Sequence, residues 1–146
     1  MTIRKFAHGD GRELRRLARQ LFGSDQDFDP WNEQIFVVDR GNGLLGGYLA
    51  VARRSWSKGS DAQPVAHISA WFVDRDLRRK GVGARLMKAA EHWAALMGLS
   101  ELCADVELHN RVSLAAHQRM GFQPTVQLQY FRKPLAQAAN RVAGQG

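Results

Sequence analysis

The spacing of apolar and polar residues predicts strands that alternate with helices along most of the chain. Apolar or β-branched runs predict four strands, at residues 2–6, 35–38, 44–52 and 65–73. Residues 102–108 alternate between apolar and polar side chains, and residues 122–133 are also strand-like. Apolar residues recur at helical spacing over residues 11–21, 81–97 and 111–120. This order predicts an α/β fold whose sheet has mixed strand direction.

Capping and breaking residues predict where the helices begin and end. Asp10 is predicted to cap the first helix and Gly23 to end it, because short polar side chains cap amides and glycine adopts positive φ. Asn110 is predicted to cap the third helix. Residues 24–33 are expected to form a loop or short helix, and residues 136–146 a loose tail. A chain of 146 residues is most simply a single domain over its whole length.

Composition and charge narrow the possible classes of function. The net charge of +7 suggests a nucleic-acid partner, but the basic residues are spread over the chain and no basic–aromatic arm occurs, so none is expected. No zinc-ligand spacing occurs, and no metal is expected. Cys103 is the single cysteine, which excludes an intramolecular disulfide and suits a reducing cytoplasm. The longest mostly apolar run, residues 43–52, is too short to span a bilayer, so no membrane role is expected.

The densest cluster of positive charge lies between a predicted strand and a predicted helix. Arg78, Arg79 and Lys80 are followed at once by Gly81 and, one residue later, by Gly83. Amides at a helix start and the positive end of the helix dipole attract anions, so this turn is predicted to bind a phosphorylated cofactor. The glycine spacings of Walker and Rossmann loops are both absent. The spacing Arg-x-x-Gly-x-Gly resembles the acetyl-CoA pyrophosphate loop of the GNAT family of N-acetyltransferases. A solvated basic turn is the simpler alternative.

A second motif, further along the chain, resembles the other half of the GNAT signature. It comprises Asn110, Ser113, His117, Gly121 and Phe122. Within the family, the chain is most similar to short bacterial aminoglycoside 6'-N-acetyltransferases, over nearly its full length. The resemblance implies the GNAT fold, a mixed and mostly antiparallel sheet with splayed central strands flanked by helices.

The resemblance also implies an activity and a cofactor site. The activity is direct transfer of the acetyl group of acetyl-CoA to a primary amine, the 6'-amine of an aminoglycoside. The implied cofactor-binding residues are Trp71, Phe72, Val73, Arg78, Arg79, Lys80, Gly81, Val82, Gly83, Ala84 and Asn110. For Asn110, a plain helix cap is equally compatible with the sequence.

Two residues are expected to take part in the chemistry. Asp105 is expected to position the substrate ammonium, and His117 to protonate the departing thiolate. From the residues alone, Asp105 could be an ordinary exposed aspartate and His117 a packed or surface histidine. Cys103 shares the predicted face of Asp105 and is interpreted as a structural thiol. The substrate-binding residues expected are Phe22, Asp25, Trp56, Ser69 and Asp105.

Two departures from the family pattern leave the substrate open. His117 stands where the family commonly has tyrosine, which is compatible with the aminoglycoside subgroup. Ser69 stands where that subgroup typically has a carboxylate, which favours a different amine, such as a polyamine, an amino acid or a protein N-terminus. The segment 25–33 is acidic, with Asp25, Asp27, Asp29 and Glu33. Its carboxylates would suit the binding of a polyamine sugar, and a solvated loop is the simpler alternative.

One alternative function and one expected assembly concern binding partners. A binding module that uses the fold without catalysis remains a third reading, and it predicts salt-dependent nucleic-acid binding without affinity for CoA. A homodimer is expected, from the resemblance and from the strand-like segment 125–133, because exposed strand edges tend to be paired or covered.

Overall fold

The computed structural model describes residues 1–24, 26 and 32–136. This part of the chain contains the strands β1 Thr2–Lys5, β2 Gln34–Gly41, β3 Leu44–Arg54, β4 Val65–Val73 and β5 Leu102–Ala104. Its α-helices are α1 Gly11–Phe22, α2 Val82–Leu96 and α3 Arg111–Arg119, and short 3₁₀ turns occupy His8–Asp10 and Arg75–Leu77. The first four strands and all three helices were predicted from the sequence and are confirmed. None of the helices in these ranges combines the length and the hydropathy needed to cross a bilayer.

The strands form one sheet in the order β1-β2-β3-β4-β5. The first four strands pair antiparallel with their neighbours, and β5 pairs parallel with β4. Parallel neighbours need a crossover, and α2 provides it between β4 and β5. The expected α/β fold with a mixed, mostly antiparallel sheet is therefore confirmed.

Helices cover both faces of the sheet. The apolar side of α2 packs on one face together with alternate residues of the strands, including Val38, Leu49, Val51, Ala66 and Ile68. Leu14 and Leu17 of α1 pack on the opposite face, against Ile35, Val37 and Tyr48. Gly23 ends α1 in the left-handed conformation, with a φ of 76°, as predicted. The two faces of β4 therefore lie in different environments.

The sheet opens between β4 and β5, and this opening positions the site. The parallel pairing covers only Ala66 to Ile68, opposite Leu102 to Ala104. Ala50 of β3 pairs with Ala70, whereas Val51 pairs with Ile68, so Ser69 is an extra residue in a β-bulge. Beyond that bulge, β4 continues to Val73 with β3 on one side, while β5 has ended. The expected splay of the central strands is therefore present, and it exposes one edge of β4.

Three sequence predictions were wrong in detail. The strand predicted over residues 102–108 ends at Ala104, because its partner β4 bulges at the next position. The segment 122–133 was predicted to be strand-like, but it forms no strand. Phe131, one of its apolar side chains, is 91% exposed. A strand needs a hydrogen-bonded neighbour, and the described chain offers this segment none. Asp10 does not cap α1, since its carboxylate accepts instead from the amide of Ala7 and from Arg4. Residues 137–146 of the predicted tail lie outside the described residues.

Candidate active site

The loop after β4 turns sharply and then opens into a helix start without a side-chain cap. Arg79 has a φ of 61° and Gly81 a φ of 79°, both in the left-handed region. Gly81 occupies the cap position of α2, so no side chain there accepts from the first-turn amides. That first turn, which the structure describes completely, contains no acidic residue. Free helix-start amides and the helix dipole attract anions, so this geometry suits a phosphate group.

A cavity of about 860 Å³ extends from this loop to α3, along the end of β4. All but two of the residues expected to bind the cofactor line it: Trp71, Phe72, Val73, Arg78, Arg79, Gly81, Gly83, Ala84 and Asn110. Lys80 is not part of the lining, and the side chain of Val82 is only 2% exposed because it packs in the core. Gln20 and Leu21 of α1 complete one end of the cavity. Its volume is that of a site for a sizeable ligand.

Two side chains that are expected to contact the cofactor, those of Arg78 and Asn110, already make contacts within the chain. The Arg78 side chain folds back, so its Nε donates to the carbonyl oxygen of Val73 at 2.9 Å and its guanidinium lies 5.4 Å from the ring centre of Phe72. Asn110 caps α3, since its side-chain oxygen accepts from the amide of Ser113 at 3.1 Å. The predicted cap is therefore confirmed. The cap occupies only the oxygen, so the side-chain amide of Asn110 keeps its two donors.

Trp71 connects the segment expected to bind the cofactor, residues 78–84 and called the cofactor loop below, to His117. Its indole Nε1 donates to the carbonyl oxygen of Gly83 at 3.0 Å, and its ring meets His117 edge-on with centroids 5.0 Å apart. His117 Nδ1 lies 2.7 Å from the carbonyl oxygen of Ser113 in the preceding turn of α3. A carbonyl only accepts, so Nδ1 carries hydrogen and Nε2 is the nitrogen that can exchange a proton. Phe122 packs on the other side of the imidazole at 5.2 Å.

Asp105 lies just past β5, on the other face of the sheet from α2. Ala66 and Ile68 pack in the core shared with α2, so the side chain between them, His67, points to the opposite face. One carboxylate oxygen of Asp105 lies 3.4 Å from His67 Nε2, which places the carboxylate on that opposite face as well. The side chain of Asp105 is 83% exposed. It is therefore available to a cationic ligand.

A second carboxylate lies beside the position where the sequence lacks one. Ser69 is exposed at the bulge of β4, and its hydroxyl donates to Glu33 Oε1 at 3.4 Å. Glu33 directly precedes β2. Burial, aided by the negative charge of Glu33, raises the pKa of the nearby Tyr48 phenol to about 12. This chain has serine at position 69, where an acid was expected from the subgroup, but the carboxylate of Glu33 lies within hydrogen-bond distance of that serine.

The remaining residues expected at the substrate site are less constrained. Phe22 ends α1 and is about half exposed, and Trp56 lies in an exposed loop between β3 and β4. Asp25 was expected at the site and lies outside the described residues, as do Asp27, Asp29 and Trp31. Cys103 is a free thiol opposite His67 in the β4–β5 ladder.

The sequence interpretation missed an ionic cluster beneath the cofactor loop. Asp74, the first residue after β4, is buried and accepts from Arg16 at 3.1 Å and from Arg40 at 3.0 Å. Arg16 also binds Glu13 and the carbonyl oxygen of Leu45, and this guanidinium holds the pKa of Glu13 below its ordinary value. The cluster joins α1, β2 and β3 to the start of the loop. Its members lie 34 and 58 residues from Asp74, so no local spacing rule could reveal them.

The fold and the loop together define a class of protein. The model of the acetyltransferase (GNAT) family matches residues 6–122, which is most of the chain. The chain belongs to the GNAT family of acetyltransferases. The family resemblance inferred from two short motifs is therefore confirmed.

Two relatives of this chain, from different organisms, have the same name. An aminoglycoside N(6')-acetyltransferase type 1 of Klebsiella aerogenes is 39% identical over 101 residues, which cover 69% of this chain and 65% of that protein. The chain thus spans slightly less than two thirds of that relative. The enzyme of the same name from Stenotrophomonas maltophilia is 30% identical over 149 residues, covering 94% of this chain and 96% of its own length. The solved structure of aminoglycoside N-acetyltransferase AAC(6')-Iy in complex with CoA has a TM-score of 0.78 and 25% identity, covering 92% of this chain and all of that one.

Proposed function

We propose that this chain transfers the acetyl group of acetyl-CoA to the 6'-amine of an aminoglycoside, and thereby inactivates the antibiotic. The observation that carries the proposal is the uncapped start of α2, which contains no acidic residue and opens into the large cavity beside β4 and α3. The carboxylates of Asp105 and Glu33 lie outside the lining of that cavity, near the end of β5 and the bulge of β4. The relatives named above as aminoglycoside N(6')-acetyltransferases support the choice of amine. A single catalytic domain in the cytoplasm is part of this proposal.

Acetyl-CoA fits the large cavity by chemistry as well as by size. Its pyrophosphate suits the amides that follow Gly81, where absent side chains allow close approach and Arg79 adds positive charge. Its pantetheine arm is an amide-rich chain that can pair with the exposed edge of β4 at Trp71 and Phe72. The bound cosubstrate supplies the activated acetyl group. The chain's task is to align the thioester with the amine and to exclude water.

On the amine side, carboxylates attract an ammonium-rich sugar. Glu33 accepts from the hydroxyl of Ser69, and Asp105 follows Ala104, which pairs with Ile68 just before Ser69. Each charge-assisted hydrogen bond between a carboxylate and an ammonium is worth roughly 1.5–3 kcal/mol. Phe22 and Trp56 can cover apolar faces of the sugar rings. We assign Asp105 the task of orienting the ammonium, which releases one proton to water before its nitrogen attacks the carbonyl carbon of the thioester and a second proton to water as the amide forms.

His117 is the proposed proton donor for the sulfur. Because Nδ1 is held by the carbonyl of Ser113, the ring can give a proton only from Nε2, and only as the imidazolium. Trp71 and Phe122 hold the ring edge-on and restrict its rotation. When the carbon–sulfur bond breaks, the electron pair stays on sulfur and the proton moves from Nε2 to sulfur.

A homodimer is the proposed assembly, and the segment after α3 supports it. Residues 123–135 run without strand or helix, and they expose five large apolar side chains: Val126, Leu128, Tyr130, Phe131 and Leu135. Such a surface is typical of an interface between subunits, and a second copy could pair with it. Light scattering at micromolar concentration should give twice the monomer mass. A monomer mass under these conditions would contradict the dimer.

The alternative amine is a polyamine, an amino acid or a protein N-terminus, and Ser69 in place of an acid favours it. A thiol-release assay with acetyl-CoA separates the candidates when kanamycin, spermidine and an unblocked peptide are offered in parallel. The proposal predicts turnover of kanamycin with the lowest KM. Turnover of spermidine or peptide without kanamycin would favour the alternative, and binding of nucleic acid without any CoA affinity would contradict both enzyme assignments.

A further inference from the structure

His67 is a buried histidine that stands next to the proposed substrate carboxylate. It lies in the middle of β4, directly opposite Cys103 in the parallel ladder with β5. Only 5% of its surface is exposed, and it faces away from the core that holds Ala66 and Ile68. Buried polar side chains in a sheet need partners, and both ring nitrogens of His67 have one nearby.

The two ring nitrogens have different partners. Nδ1 lies 3.3 Å from the hydroxyl of Ser57, and Nε2 lies 3.4 Å from Oδ1 of Asp105. An ionised carboxylate can only accept, so the neutral tautomer that satisfies both contacts has hydrogen on Nε2 and lets Nδ1 accept from Ser57. The Asp105 side chain is 83% exposed, whereas that of His67 is only 7% exposed. The buried imidazole can therefore fix the orientation of the exposed carboxylate.

We propose that His67 is a positioning residue, which holds the carboxylate of Asp105 toward the substrate amine beside Ser69. The proposal rests on the assignment of Asp105 to the amine site. His67 does not touch the reacting atoms in this account, since it lies beneath Asp105 in the sheet. Its Nε2–H directs one carboxylate oxygen and leaves the other to the ammonium.

This role requires a neutral imidazole. Burial first, and then the positive charge of Arg54 at the end of β3, lower the pKa of His67 below its ordinary value of 6.5, while the charge of Asp105 opposes them. The other groups in contact, the hydroxyl of Ser57 and the neighbouring thiol of Cys103, bring no positive charge. A protonated His67 would be a cation paired with Asp105, and it would compete with the substrate ammonium. Amine binding should therefore weaken as the pH falls through the pKa of His67.

Steady-state kinetics of three variants test the proposal. His67→Phe keeps the ring volume without a donor, and His67→Gln keeps a donor that does not titrate. Val65→Ala trims a buried side chain two residues earlier on the same strand, so it reports general loss of packing. We expect His67→Phe to raise the KM for kanamycin about 2- to 10-fold, with the KM for acetyl-CoA unchanged. His67→Gln should stay near the wild-type KM at neutral pH, and Val65→Ala should lower Tm without changing either KM.

The pH profile separates positioning from packing. In the wild type, the KM for kanamycin should rise on acidification more than it does in His67→Gln, because only the wild type can protonate this residue. Identical pH profiles for these two proteins would overturn the proposal, even if His67→Phe fails to fold. An equal rise of both KM values in His67→Phe would also overturn it, since that result indicates general disruption.

A second readout does not depend on the substrate. Ring nitrogen NMR of His67 should show hydrogen on Nε2 at neutral pH, and Asp105→Asn should lower the pKa of His67 because an opposing negative charge is removed. A pKa unaffected by Asp105→Asn would overturn the contact. If the wild type acetylates no kanamycin, the proposed function fails on its own, while this measurement still decides whether His67 and Asp105 interact.

Discussion

The proposed cofactor side and the proposed amine side of the cleft are built in different ways. The cofactor side consists mainly of backbone: the exposed edge of β4, the left-handed turn at Arg79 and Gly81, and the first amides of α2. The amine side consists of side chains from separate segments, with Asp105 after β5, Ser69 in the bulge and Glu33 before β2. Backbone geometry is hard to change by single substitutions, whereas side chains change freely. This difference allows one fold to keep its cosubstrate and vary its amine.

Gly81→Asp should have the largest effect, because it breaks the cofactor side alone. A carboxylate at the start of α2 would face the pyrophosphate and take over the free amides, so we expect CoA affinity to fall roughly 100-fold, by calorimetry. Gly98→Asp is a matched control, since Gly98 has a φ of 74° against 79° for Gly81 but follows the other end of α2. Gly98→Asp imposes similar backbone strain at a position that is not expected to contact the pyrophosphate. Equal CoA affinity in both variants would mean that the pyrophosphate binds elsewhere.

Asp105→Asn breaks the amine side and should leave the cofactor side intact. The amide has nearly the volume of the carboxylate, so packing is spared while the attraction for an ammonium is lost. We expect kcat/KM for kanamycin to fall about 10- to 150-fold, with unchanged CoA affinity. Glu107→Gln is the control, because Glu107 is another exposed acid two residues away. If Glu107→Gln reduced turnover as much as Asp105→Asn, the effect would come from net charge rather than from a specific contact.

Acid should weaken the cluster that supports the cofactor loop. The guanidinium of Arg16 lowers the pKa of Glu13 below its ordinary value of 4.5. A depressed carboxyl pKa means that Glu13 stabilises the fold above pH 4.5 and loses this contribution as the pH falls through the folded-state value. Thermal melts should therefore show Glu13→Gln with a lower Tm than wild type at pH 7 and a smaller further fall in acid. Glu91→Gln, on the outer side of α2, should follow the wild-type curve.

Ser69→Glu should have the smallest effect of these substitutions. The new carboxylate would lie beside Glu33, which is proposed to face the amine already, so we expect the KM for kanamycin to fall only about 2- to 5-fold. In a Glu33→Gln background, the same substitution should give the larger gain. Equal gains in both backgrounds, measured as a double-mutant cycle, would mean that Glu33 does not act on the amine.

The sequence predicted the local geometry of the proposed cofactor side better than that of the proposed amine side, for a physical reason. The turn at Arg78–Gly83 and the Asn110 cap are local, so residue spacing reveals them. Contacts such as Ser69 with Glu33 span 36 residues, and they depend on which strands become neighbours. The bulge at Ser69 had no local signal, and it ended β5 earlier than its alternating pattern predicted.

The residues after α3 show a different limit. Their alternation is typical of a strand, but a strand forms only where another strand pairs with it. The described chain places no strand beside these residues, and the proposed dimer would bring one. Asp74 illustrates the same limit for charge, because its two arginines approach only after β2, β3 and α1 have packed.

Neomycin has an amine at the 6' position and paromomycin has a hydroxyl there, so comparing the two antibiotics tests whether this chain acetylates the 6'-amine. Thiol release from acetyl-CoA is measured with each, and the acetylated product is located by NMR. We predict rapid turnover of neomycin with the acetyl group on the 6' nitrogen, and turnover of paromomycin lower by at least about 100-fold, because a site that binds an amine rejects its analogue strongly. Equal turnover of the two antibiotics, or acetylation at any other nitrogen, would contradict the account.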